Sequence, residues 1–202
     1  MSTPRVIDVS NLPEYELGDR ALVWWGQVGM LVIEGTMFAL TFATYFYLRT
    51  VAVQWPPPTV ALPDLTLPSI MLALLLVSCV PMYIADEAAK KENYSRTIIW
   101  FGISGVLCIG AVVLRWYEIG ALEFKWYSHA YGSAVWTLLG LHTFHLVVST
   151  GETIVMMLIL LTRSRPQHKH YLVVRIDGLY WYWVVAWYLL YYVIVDVFPH
   201  VR

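Results

Sequence analysis

Five long apolar runs, each bounded by polar or proline-rich sequence, constrain this chain more than any other feature. A helix needs roughly 20 apolar residues to cross about 30 Å of hydrocarbon. The runs span about 21–48, 69–85, 97–114, 130–161 and 178–195. Between the first two lies "QWPPPTVALPDLTLP", whose five prolines cannot continue a helix. The expected fold is therefore all-α: an integral membrane protein with a bundle of five transmembrane helices (residues 21–202), preceded by a polar cytoplasmic tail over 1–20. Composition agrees, with 59% hydrophobic and only 13% charged residues. A soluble domain could not hide so much apolar surface.

The tail carries four acids and no apolar stretch, so it does not read as a secretory signal, and insertion is expected to be driven by the first span. With five spans, the tail and the loops near 86–96 and 162–176 share one side. That side holds nine of the lysines and arginines, against four on the other. Basic loops stay in the cytoplasm, which puts the N-terminus inside and the C-terminus outside. A net charge of −1 gives no reason to expect a nucleic-acid partner. Cys79 and Cys108 sit within apolar runs without a CxxC neighbour and read as small packing residues.

Small residues suggest how the spans approach one another. Gly35, Ala39 and Ala43 form a smooth stripe on the first, and Gly102, Gly105 and Gly110 thin the third. The fifth, "LYWYWVVAWYLLYYVIV", is aromatic on every face, which suggests interface anchoring or contact with a partner.

Polar groups inside the spans are the functional candidates. Glu34 lies 13 residues after Ala21 and 14 before Leu48, which puts it about 20 Å from either end. An ionised side chain at that depth costs at least roughly 2.5–3.5 kcal/mol, so a neutral carboxyl bonded to a neighbouring helix is expected. Glu152 is a second such acid. Arg115 and Glu118, three apart at the outer end of the third span, can pair along one face as a satisfied interfacial couple.

His142 and His145 are also three apart, and on this reading they look at the same neighbour. From one helix they cannot supply both axial ligands of a haem. The other four spans contain no histidine; His129 lies at the mouth of the fourth and the rest fall in loops and the tail. Copper or di-iron would need further His or carboxylate ligands, with Glu34 the one obvious candidate at similar depth. Histidines that hydrogen-bond between helices are the expected outcome, with no metal and no catalytic residue in this chain.

Several ordered motifs resemble the subunit III family of haem-copper oxidases. "HAYGSAVWTLLGLHTFHLVV" at 129–148 resembles the family's Tyr-Gly-Ser, then Gly-x-His-x-x-His signature. "IEGTMF" at 33–38 resembles the segment with a buried carbodiimide-reactive glutamate, which corresponds to Glu34. "WPPP" at 55–58, "RWYE" at 115–118 and "YWYWVVAW" at 180–187 resemble three further family motifs. Tyr182 and Val185 stand where the family usually has His and Asp, and Arg115 replaces an acid that many members carry. With five spans the chain resembles the short bacterial versions.

The resemblance implies a non-redox subunit III of a cytochrome c oxidase in the bacterial cytoplasmic membrane, serving aerobic respiratory electron transport. It would stabilise subunit I, bind phospholipid and support proton uptake. Haem and copper would reside in partner subunits I and II, and a larger respiratory supercomplex could include it. His142, His145, Arg115 and Glu118 would be structural or lipid-associated, and Glu34 proton-related. Other readings stay open: a subunit III-like companion of a quinol oxidase or nitric oxide reductase, a b-type cytochrome or quinone-reactive subunit using His142 and His145, and a small transporter using Glu34. The transporter ranks last, because no inverted repeat is visible.

Overall fold

The computed structural model describes residues 22–61, 64–162 and 168–200; the expected tail at 1–20 lies outside them. Five helices follow in order: α1 (Leu22–Val51), α2 (Thr66–Lys90), α3 (Tyr94–Gly120), α4 (Ala130–Thr162) and α5 (His168–Tyr191). A π-helical segment, Tyr192–Val197, and a 3-10 turn, Phe198–His200, end the described chain. All five helices are long and apolar enough to cross a membrane, and there is no strand among the described residues. The all-α, five-helix expectation holds.

Most helices outrun the apolar stretches because their polar ends are satisfied locally. In α2, Lys90 pairs with Asp86 at 2.8 Å and Glu87 at 2.6 Å, one helical turn away. The Asn93 side chain caps α3 by accepting the Arg96 N–H at 3.1 Å. The largest difference is α5, which begins ten residues before the expected 178. Its polar start is accommodated because Arg175 reaches Asp86 at 3.2 Å and Asp177 accepts the Thr153 hydroxyl at 2.9 Å.

Helices α2, α3, α4 and α5 contact one another in cyclic order, and α1 lies along α4 and α5. The small residues of α3 act as expected: a Cβ on Gly105 would touch Thr153 Cγ2 at 3.6 Å, and one on Gly102 would meet Met157 Cε at 3.1 Å. The stripe on α1 does not. Ala39 and Ala43 are exposed, and the buried face is Leu31, Phe38, Phe42 and Tyr45. Aromatic stacking decides this. The Phe38 ring lies on Trp187 at 4.7 Å and 12°, a contact that a methyl group cannot supply. Only Gly35 of the stripe contributes: a Cβ there would lie 3.6 Å from Trp187 Cζ2.

The aromatic α5 is not chiefly an interface anchor. Its rings turn toward different neighbours: Trp181 Nε1 donates to Ser78 Oγ of α2 at 2.9 Å, Trp187 stacks on α1, and the Tyr188 hydroxyl donates to Glu118 of α3 at 2.9 Å. Trp181, Val184 and Tyr188 are each 0% exposed. Rings on all sides serve a helix with neighbours on most of them.

Candidate functional site

The buried face of α4 carries His142, His145, Ser149 and Thr153, and polar groups from the other helices gather along it. Nearest the α3 end, Arg115 Nη1 donates to Glu118 Oε2 at 2.7 Å. Its Nη2 lies 3.0 Å from His142 Nδ1, and its guanidinium sits 4.8 Å from the Tyr188 ring centre. His142 Nε2 is 3.1 Å from the Val184 carbonyl, which can only accept. The ring is therefore the Nε2–H tautomer, and Nδ1 accepts from Arg115. Tyr188 completes the cluster by donating to Glu118 Oε1. The expected Arg115–Glu118 pair exists and is enclosed by the bundle: Arg115 is 1% exposed and Glu118 5%. It can lie inside because each charged group also meets a hydrogen-bonding partner from another helix.

His145 turns elsewhere, against the expectation of a shared neighbour. Three residues on a helix still differ by about 60° in direction, and here that angle separates two environments. His145 Nδ1 donates to the Leu141 carbonyl at 2.7 Å, leaving Nε2 as the acceptor, 3.4 Å from Glu34 Oε2. The ring is enclosed by Phe38 at 5.1 Å and Trp183 at 5.3 Å. Glu34 Oε2 is close to Nε2 but not aligned for a hydrogen bond, and it has no other partner among the described residues. The carboxyl thus lies beside the imidazole nitrogen that Leu141 leaves unengaged.

Further along α4, Asp177 accepts from Thr153, and Glu152 lies near the surface. A groove of about 440 Å³ opens there, lined by Gln27, Val155, Met156, Val173 and Ile176 together with these acids. Asp177 and Asp196, 4% and 3% exposed, escaped the sequence reading because they flank the expected span 178–195. Their settings, "RIDGLYW" and "VIVDVFP", hold apolar residues on both sides of the acid, and that was the available signal. Tyr188 was hidden among many tyrosines. Among the described residues, no three His, Cys, Asp or Glu side chains converge as metal ligands.

A five-helix membrane bundle with charged and histidine side chains tied to one another in its interior defines the class: a polytopic membrane protein with an internal polar seam. The family model for cytochrome c oxidase subunit III matches residues 19–198. The chain is 30% identical to cytochrome c oxidase subunit 3 of Synechocystis sp. over 180 residues, covering 86% of this chain and 75% of that protein. It is 31% identical to the Bacillus subtilis protein of the same name, covering 80% and 79%. The Alkalihalophilus pseudofirmus protein is 30% identical, covering 80% of each. This chain belongs to the cytochrome c oxidase subunit III family.

Proposed function

We propose that this chain is the non-redox accessory subunit of a haem-copper terminal oxidase, stabilising the catalytic subunit I, binding phospholipid and supporting proton uptake. The observation that carries this reading is how the histidines are used. Both His142 nitrogens are engaged, by Arg115 and by the Val184 carbonyl, and His145 Nδ1 is engaged by Leu141. A haem or copper centre on His142 would have to break its bonds and strand buried donors and acceptors, at a cost of about 1–3 kcal/mol each, and among the described residues no set of three ligand side chains forms around the free His145 Nε2. Electron transfer then belongs to subunits I and II, with haem and copper held there. Glu34, facing His145 at mid-membrane depth, is the proton-related group. The groove between α1, α4 and α5 suits a phospholipid: its walls are largely apolar, and Gln27 and Glu152 line it as polar groups. The excess of basic residues on one side supports a bacterial cytoplasmic membrane location with the N-terminus inside.

Purification through this subunit in a mild detergent tests the proposal. Co-purifying subunits I and II, all haem absorbance following subunit I, and faster loss of activity on prolonged turnover once this chain is stripped away are the expected results. A Soret band stoichiometric with the isolated chain would overturn it.

A further inference from the structure

Between residues 64–68, the end of α3 and the π-helical end of α5 lies a recess of about 160 Å³. Asp64, Glu118, Glu123 and Asp196 line it. Among the described residues, Glu118 alone of the four meets a basic side chain, and that arginine is already bonded to His142. Lys125 lines a neighbouring recess, with its ammonium 5.8 Å from the Tyr127 ring centre. Asp196 is the decisive group. It is 3% exposed, and its Oδ2 has no hydrogen-bond partner among the described residues. It sits in the Tyr192–Val197 π-helical segment, a rare geometry that often marks functional positions in helices. A buried, unpartnered carboxylate oxygen in an acidic recess calls for a cation.

The donor set says which kind. All four lining side chains offer oxygen, which selects a hard cation. Among the described residues no three His, Cys, Asp or Glu side chains converge here, too few for Ca2+, which takes 6–8 oxygens. Mg2+ keeps several waters and needs only one or two carboxylates. At roughly 30 Å³ per water, the recess has room for much of such a shell. We propose that this recess binds one Mg2+-type divalent cation with its water shell, with Asp196 and Glu118 as the carboxylates and Asp64 and Glu123 as a negative rim.

The full chain, purified in detergent away from other subunits, should be titrated with Mn2+ and free ion counted by electron paramagnetic resonance. Wild type should bind one Mn2+ that Mg2+ displaces and Na+ at equal ionic strength does not, and Asp196→Asn should lose it. The rim variant Glu123→Gln should weaken binding, most at low ionic strength. Equal binding by wild type and Asp196→Asn overturns the site. Absence of a saturable wild-type site also overturns it, leaving these acids to a basic side chain of a partner subunit. Should Asp196→Asn fail to fold, Asp64→Asn/Glu123→Gln decides: affinity equal to wild type is the overturning result.

Discussion

The Arg115 guanidinium bridges α3 and α4 inside the bundle, placing Nη2 3.0 Å from His142 Nδ1 while Nη1 holds Glu118 at 2.7 Å. Removing one member of a buried pair costs about 3–5 kcal/mol, because the other charge is left uncompensated. Arg115→Met should therefore sharply lower the thermal midpoint in detergent. Adding Glu118→Gln removes the stranded charge while keeping an acceptor for Tyr188. The double variant should recover part of the loss; a double variant no better than the single one would count against this explanation.

Glu34→Gln should assemble normally, since the amide keeps the volume and the donor and acceptor capacity of a neutral acid beside His145. Glu34→Ala removes partner and volume together and should cost about 1–3 kcal/mol. Yield of intact complex compares them. A hydrophobic carbodiimide should label wild-type Glu34 but not the glutamine variant, as read by mass spectrometry. Equal damage from both substitutions would show that the acid proton itself is needed.

Two glycines should respond differently to alanine. A Cβ on Gly132 would lie 2.8 Å from the Lys125 carbonyl oxygen and 3.1 Å from His129 Cε1. That carbonyl belongs to the backbone leading into α4 and cannot move alone, so Gly132→Ala should cost about 1–3 kcal/mol. Gly102 meets only the end of the Met157 side chain at 3.1 Å, which can turn aside. Gly102→Ala should be near neutral, helped by the better helix propensity of alanine, worth about 1 kcal/mol. Thermal unfolding of the two variants side by side gives the comparison.

Asp64 lies outside the membrane-spanning segments and accepts both the Thr66 N–H at 3.0 Å and the Thr66 hydroxyl at 2.8 Å. Those bonds hold its carboxyl below the usual range. Because the folded value is the lower one, its contribution is complete above the ordinary carboxylate value of about 3.9 and disappears as pH falls through the folded value. Proteolysis of the 56–65 segment should rise at acid pH in wild type. Asp64→Ala should be cleaved faster even at neutral pH, and a variant indistinguishable from wild type there would show that its bonds to Thr66 do not hold this segment.

How much of this was legible depended on what each residue's neighbours had to reveal. The five spans follow from apolar length alone, and length is a local property. The pairing of Arg115 with Glu118 followed from spacing on one helix. Its burial did not, because that rests on His142 and Tyr188, which come from elsewhere in the chain. The alanine stripe misled because small residues announce only that a helix could come close. Phe38 and Trp187, 149 positions apart in the chain, determined which face did. Asp177 and Asp196 were lost at span edges, where hydropathy changes gradually and burial is set by neighbouring helices.

The position of α5, bonded to α2 and α3 and stacked on α1, carries a consequence for biogenesis. The ribosome makes α5 after the four helices that precede it, so those four enter the bilayer before their common partner exists. Ser78, Glu118 and Phe38 must wait for Trp181, Tyr188 and Trp187 before their side chains settle. A chain that stopped before α5 would be inserted yet unfinished, recognisable to quality-control proteases by the polar groups it could not cover.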